Sequence, residues 1–216
     1  MLLKVDKLNV FRGTAHIIRD ISFEIEKGEA IGIVGPNGSG KTTLMMGLMG
    51  LLPIKSGRIY FNNQEITNLP PFKRAQLGIG YVPEDRRLYP ELNVKQNIAI
   101  PCWAKKMREP DESFGEDIFP IVKVRDLVRR KSGAYLSGGE QMIISILRAL
   151  AAKPILLLLD ECFEGIFAVA RRYLAEYLTK KKNEEGLTVI CTESNPNFIN
   201  WVDKTYRIER GELKEI

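Results

Sequence analysis

Histidine is nearly missing from this chain, and cysteine is scarce. His16 stands alone, and Cys102, Cys162 and Cys191 form no Cys-x-x-Cys pair. Three thiols cannot all pair within one chain, which argues against a disulfide framework. One imidazole with scattered thiols argues against a His/Cys zinc site, and His16 reads instead as a partly exposed strand residue. No apolar run approaches the ~20 residues needed to cross a bilayer. The start, Met1-Leu2-Leu3-Lys4, is charged too early for a signal peptide, so a cytoplasmic location is expected. No charge of one sign dominates: 32 Lys and Arg against 27 Asp and Glu leave a net +5. Basic clusters at Arg86-Arg87, Lys105-Lys106, Arg129-Arg130-Lys131 and Lys180-Lys181-Lys182 read mostly as solvated helix faces and ends. Their sharper reading is attraction to a nucleotide or to an anionic membrane leaflet. No aromatic-interleaved basic motif occurs, so no nucleic-acid partner is expected. Internal repeats and low-complexity tracts are absent as well.

What is present begins at residue 35. Gly35-Pro36-Asn37-Gly38-Ser39-Gly40-Lys41-Thr42, followed by Thr43, fits the phosphate-loop pattern G-x-x-x-x-G-K-[ST] at every fixed position. Apolar Ala30 to Val34 precedes it as a strand, and a helix starts after it. Glycines let the loop turn its N–H groups inward around phosphate oxygens, and the helix N-terminus adds partial positive charge there. Lys41 can reach the β- and γ-phosphates, and the Thr42 hydroxyl can ligate Mg²⁺.

The rest of the chain divides by character. Alternation at Leu3, Val5, Leu8 and Val10, and again at Ile18, Ile21, Phe23 and Ile25, predicts strands around a turn at Arg12-Gly13. The phosphate-loop helix is expected to reach about Leu52 and stop at Pro53. A short strand at Arg58 to Phe61 turns at Asn62-Asn63, Pro70-Pro71 marks a loop, and a strand ends at Gly80 to Pro83. Residues 94 to 150 lack β alternation. Asn93 with Gln96 reads as a helix cap, and Pro101 and Pro110 are expected to break the region into short helical pieces. Ile155 to Leu159 is apolar at every position, as in a parallel strand buried on both faces. A helix from about Ala168 to Glu185 stops at Gly186. A strand at Leu187 to Cys191 and a hairpin around Tyr206 to Leu213 close the chain. The alternation of strands and helices predicts an α/β fold.

Two further motifs carry chemistry. Asp160-Glu161 ends the Leu-rich strand, where a parallel sheet holds its ligand-binding residues. Asp160 is placed to hold Mg²⁺, and Glu161 to orient or deprotonate an attacking water. Leu136-Ser137-Gly138-Gly139-Glu140-Gln141 opens another apolar-periodic helix. A capping box explains Ser137 and Glu140 but not two consecutive glycines. Gly138 and Gly139 allow a phosphate to approach bare backbone at a helix N-terminus. The chain thus carries two anion sites, which either grip one nucleotide together or serve different nucleotides across a dimer.

Phosphate loop, Leu-Ser-Gly-Gly-Glu-Gln and Leu-Leu-Leu-Leu-Asp-Glu, in that order and spacing, make the chain resemble the ATP-binding subunit of an ABC transporter over essentially its whole length. Tyr81 to Pro90, Gly138 to Met142 and Ile190 to Asn195 look most like the ATPase subunits of branched-chain amino acid importers. The resemblance implies a P-loop NTPase (RecA-like) core, residues 1–86 and 152–216, with N-terminal antiparallel β elements. Residues 87–151 would form an inserted α-helical subdomain carrying the signature. It implies ATP and Mg²⁺ as cofactors and ATP hydrolysis coupled to transport. Two ATPase subunits, identical or paralogous, would pair head to tail, so that Ser137, Gly138, Gly139, Glu140 and Gln141 of one close on the γ-phosphate held by the other. Membrane permease subunits would contact the segment around Glu84 and the helical subdomain, with a substrate-binding protein engaged indirectly. The chain would sit peripherally on the cytoplasmic face of the cell membrane and, ending soon after the hairpin, would be expected to carry no C-terminal regulatory domain.

Some positions depart from the family pattern. Arg12, preceded by Phe11, stands where an aromatic usually stacks on adenine, so either Phe11 or Arg12 would meet the base. Glu84 replaces the loop glutamine that senses metal and water, a change frequent in the branched-chain subgroup. Ser194 replaces the switch histidine, Cys162 the usual proline, and Phe167 an aspartate. The resemblance therefore assigns catalysis to Glu161, Ser194 and Glu84, and metal binding to Thr42, Asp160 and Glu84. Two other readings are a nucleotide-gated module that hydrolyses weakly, because of Ser194 and Phe167, and a non-transport ABC ATPase acting on DNA or ribosomes.

Overall fold

The computed structural model describes residues 1–128 and 136–216; the basic cluster Arg129-Arg130-Lys131 lies outside them. Strands β1 (Leu3–Arg12) and β2 (Ala15–Ile25) pair antiparallel, as their alternation predicts, and β1 also pairs antiparallel with β4 (Ile54–Phe61). A two-residue strand, β5 (Gln64–Glu65), completes this four-stranded sheet in the order β2-β1-β4-β5. Strand β4 starts earlier than its apolar end suggests, because β1 supplies partners back to Ile54. Asn62 and Asn63 both take positive φ, 49° and 63°, the geometry of a tight hairpin turn.

The second sheet has six strands in the order β10-β9-β3-β8-β7-β6. Its centre is parallel: β3 (Ala30–Val34), β8 (Thr188–Glu193), β7 (Leu156–Asp160) and β6 (Ile79–Val82). The terminal hairpin β9 (Lys204–Glu209) and β10 (Glu212–Glu215) extends one edge. Both faces of β7 are buried. Leu156 and Leu158 join one apolar cluster with β1, β2 and the phosphate-loop helix, while Leu157 and Leu159 join another with the helices of the second half. A strand with no polar face has nowhere else to go in water.

Helix α1 (Lys41–Met49) ends three residues short of the expected stop. Gly50 takes φ 77° and its N–H returns to the Gly47 and Met46 carbonyls, so the C-cap glycine rather than Pro53 terminates the helix. Pro70-Pro71, read as loop, instead starts the short helix α2 (Pro71–Gln76), with proline in the first turn where no N–H is needed. Helix α3 (Val94–Ala104) carries the Asn93–Gln96 capping box but runs through Pro101. The expected break does not occur. Proline removes one intrahelical bond, but Cys102 beyond it is fully buried against the Ala151 carbonyl, and this packing keeps the last turn. Helices α4 (Val124–Val128) and α5 (Gly138–Ala151) follow, and α6 (Ala168–Glu185) ends at Gly186 as expected. The three cysteines are all buried and free.

Candidate active site

The loop between β3 and α1 is held by contacts that only glycine permits. A Cβ at Gly35 would lie 2.4 Å from the Ile208 carbonyl oxygen. Gly40 caps α1 at φ 114° with no side-chain acceptor, which leaves the first amides of the helix for an anion. The Ser39 hydroxyl is buried without a partner. Lys41 is 4% exposed and folds back on its own loop, donating to the carbonyls of Gly35 at 2.6 Å and Pro36 at 3.0 Å. Its third contact is an ion pair with Glu161 Oε1 at 3.0 Å.

Glu161 follows β7 in the left-handed region, φ 53°, a costly conformation for a non-glycine residue. Its N–H donates to the Thr192 carbonyl of β8. Ser194, just beyond β8, donates toward Glu161 at 2.9 and 3.0 Å and lies 2.8 Å from Asn37 Oδ1. The carboxylate is thus gripped from both sides of the sheet's open end. Asp160 is fully buried, and burial pushes its carboxyl above the ordinary range. Hydroxyl donors oppose that shift: Thr192 at 2.8 Å, Thr42 at 3.3 Å and Tyr81 at 3.2 Å. A carboxylate beside a threonine hydroxyl at the foot of a phosphate-type loop is an oxygen donor set that fits Mg²⁺.

Of these groups, Asn37, Lys41, Thr42, Tyr81 and Glu161 border a cavity of about 640 Å³, which Arg12, Ile17, Gly38, Gly40, Thr43, Met46 and Glu84 also line, among others. Of the two residues considered for the base, Arg12 lines it, with its guanidinium 3.2 Å from Met46 Sδ. Phe11 does not: its ring stacks on His16, centroids 4.3 Å apart and nearly parallel, and His16 Nε2 meets Asn9 Oδ1. Glu84 reaches the rim, and no residue of the signature lines this cavity. Ser137 and Glu140 form the expected capping box, and Gln141 donates to the Leu136 carbonyl. A Cβ at Gly138 would come within 3.2 Å of the Arg86 guanidinium. The segment carrying Arg86 is tied to α5: Arg148 donates to the carbonyls of Arg87 at 2.7 Å and Arg86 at 2.8 Å, and Ser145 donates to the latter at 3.0 Å.

Sequence reasoning missed Glu193, the last residue of β8. It is fully buried; one carboxyl oxygen accepts from the Phe163 amide at 2.8 Å and the other has no partner. Burial pushes this carboxyl up to about 8. The folded state therefore binds more protons than the unfolded chain between the ordinary carboxylate range and pH 8, so this group's contribution to stability falls as pH rises through that window. Glu193→Gln keeps an acceptor for Phe163 and removes the titration. It is expected to match the wild type near pH 5 and to exceed it by roughly 1–2 kcal/mol at pH 8, read as a flatter Tm-against-pH curve.

Comparison with known proteins shows the family. A family model described as ABC transporter matches residues 18–164. The high-affinity branched-chain amino acid transport ATP-binding protein BraG of Pseudomonas aeruginosa is 33% identical over 215 residues, spanning 98% of this chain and 91% of the relative. The lipopolysaccharide export system ATP-binding protein LptB of Haemophilus influenzae is 35% identical over 219 residues, spanning 98% and 88%. A solved nucleotide-free ATP-binding cassette from an ABC transporter superposes with a TM-score of 0.79 at 27% identity, covering 99% of this chain and 90% of that one.

Proposed function

Because the chain belongs to the ABC transporter family of ATP-binding subunits, we propose that it energises import of branched-chain or other amino acids by pairing head to tail with a second cassette around bound ATP. It is an ATPase and uses ATP with Mg²⁺. The observation that carries the pairing is the position of the signature, which stands away from the chain's own nucleotide cavity. A site with a γ-phosphate-type donor loop at one end and no second anion clamp is half a site. Ser137, Gly138 and Gly139 of a partner subunit would supply the other half.

In this reading the loop amides and Lys41 bind the phosphates, and Arg12 meets the base. Thr42 and Asp160 would hold Mg²⁺, with Glu84 reaching the same region from the rim. Mg²⁺, when bound, neutralises charge on the β- and γ-phosphate oxygens. Glu161 orients the attacking water and accepts its proton, and Ser194 holds Glu161 in place. Residues 1–86 and 152–216 act as the nucleotide-binding body, and 87–151 as the part that carries the signature. An apolar groove of about 470 Å³, bordered by Leu51, Phe72, Ile100, Ala104 and Ala149, offers a membrane permease subunit a place to dock, which would hold the chain on the cytoplasmic face of the membrane. The relatives serve cargoes as different as branched-chain amino acids and lipopolysaccharide. The amino-acid assignment rests on the Tyr81 to Pro90 segment and on the match to BraG.

Two measurements test this. In a Glu161→Gln background, ATP is expected to convert monomer to dimer in sedimentation velocity. Adding Ser137→Arg should abolish the dimer without weakening ATP binding by the monomer. An undiminished dimer would refute the composite site. Reconstituted with its membrane subunits, the complex should accumulate leucine, isoleucine or valine with ATP; accumulation of an unrelated cargo would refute the amino-acid assignment alone. Ser194 in place of the switch histidine, with Phe167 in place of an aspartate, supports one second reading, a cassette that dimerises on ATP and turns over slowly. Normal turnover in the assembled transporter would remove it.

A further inference from the structure

No chemical role attaches to Tyr81 in the sequence, yet it occupies a junction. It lies in β6, the edge strand, and its register partner is Leu158 of β7. Its hydroxyl donates to Asp160 Oδ2 at 3.2 Å. Thr192, on the opposite neighbouring strand β8, donates to Asp160 Oδ1 at 2.8 Å. The buried carboxylate is therefore held from both flanks, one oxygen by each neighbouring strand. Thr42, the third donor, also meets Oδ1, at 3.3 Å. If the Thr42 hydroxyl turns to a metal, Thr192 still holds Oδ1, and Tyr81 alone holds Oδ2. The same side chain borders two cavities at once, the nucleotide cavity and the apolar groove. Pro83 and Arg87 share that position, but neither bonds to Asp160.

We propose that Tyr81 is a positioning residue: its hydroxyl fixes the rotation of the Asp160 carboxylate for Mg²⁺, and its ring carries the state of the apolar groove to that carboxylate. The inference rests on the reading of Asp160 as the metal-facing carboxylate. The physical reason is the cost of losing the donor. Without the phenol, Oδ2 is a buried carboxylate oxygen with no partner, which is expensive, and the carboxylate rotates to find one. Outer partners of metal ligands typically govern metal affinity by 10–100-fold. For a hard, largely hydrated ion held through few protein oxygens, the lower end applies.

The test is Tyr81→Phe, which keeps the ring and the groove wall. Binding of a fluorescent ATP analogue to the isolated chain is followed as Mg²⁺ is titrated. The Mg²⁺ concentration that half-supports binding is expected to rise about 10-fold, while binding in EDTA stays at the wild-type level. A purely structural role would instead weaken binding in EDTA as much as binding with Mg²⁺. Asp160→Asn is run in parallel. If it keeps the wild-type Mg²⁺ dependence, the metal assignment itself fails. If it loses that dependence and Tyr81→Phe does not, only the role of Tyr81 is overturned. In the second arm, assembly with the membrane subunits should shift the Mg²⁺ requirement of the wild type and leave that of Tyr81→Phe unmoved. Equal shifts in both would overturn the link to the groove.

Discussion

Glu161→Gln is expected to reduce ATP turnover about 10²–10⁴-fold while ATP binding holds or tightens. The two effects share one cause. In the present arrangement Glu161 occupies Lys41 through an ion pair at 3.0 Å, with both side chains largely withdrawn from water. A triphosphate must take Lys41 from Glu161 before it can use it. Glutamine keeps the shape and can still accept from Ser194, but it neither competes for the ammonium nor accepts a proton. Losing the base lowers the rate; losing the competing anion favours the ligand. Steady-state phosphate release and equilibrium binding on the same preparation check both halves. Ser194→Ala should cost less, because the Glu161 carboxylate that accepts the proton is still present. Turnover of Glu161→Gln close to wild type would remove Glu161 from the chemistry.

The second large effect concerns stability. Arg74 of α2 is 1% exposed, and its guanidinium donates to four backbone carbonyls: Leu69 at 3.0 Å, Gly47 at 2.9 Å, Leu48 at 2.7 Å and Thr67 at 2.8 Å. Burial pulls its pKa down to about 10, so it is still charged at neutral pH. Gly47 and Leu48 belong to the last turn of α1, whose carbonyls lack their usual i+4 donors, although Gly47 also receives the Gly50 N–H. Arg74 supplies them, so one side chain closes the far end of the phosphate-loop helix. Arg74→Met preserves much of the volume and strands these acceptors in a dry place. The expected loss is roughly 3–4 kcal/mol, seen as a Tm lower by roughly 6–15 °C. Arg74→Lys should recover only part, because an ammonium cannot match the planar fork. Saturating ATP should raise the Tm of both proteins by mass action without closing the gap. An unchanged Tm in Arg74→Met would refute the account.

The parts of the site that could be read from sequence are the parts written in consecutive residues. The phosphate loop, the Ser137 to Gln141 run and the Asp160-Glu161 pair each carry their chemistry within a few positions, and local backbone geometry does the rest. The strands followed from alternation or from unbroken apolarity, and the end of α6 followed from Gly186. What could not be read is what depends on neighbours in space. Tyr81 and Thr192 meet Asp160 only because β6 and β8 flank β7. Arg74 has no signal at all in a stretch that reads as loop. Glu193 looks like any polar strand end until its burial is known. Phe11 and Arg12 are adjacent, and only the β1 register decides that Arg12 faces the cavity while Phe11 turns to His16. Pro101 misled for a related reason: propensity argued for a break, and packing of Cys102 overrode it.

The ties from Arg148 and Ser145 to the carbonyls of Arg86 and Arg87 bear on where the molecule can bend. Residues 86 and 87 both sit at positive φ, 63° and 45°, and three hydrogen bonds lock their peptides to α5. That short stretch therefore swings with α5 as one piece. Any rotation of the helices against the sheet has to be absorbed on either side of it, at residues 83–85 and at 152–155. The second of these already contains Lys153 at φ 48°. Were α5 to turn about those two places, the glycine pair at its head would be carried with it, while Lys41 and its loop lie outside the moving piece.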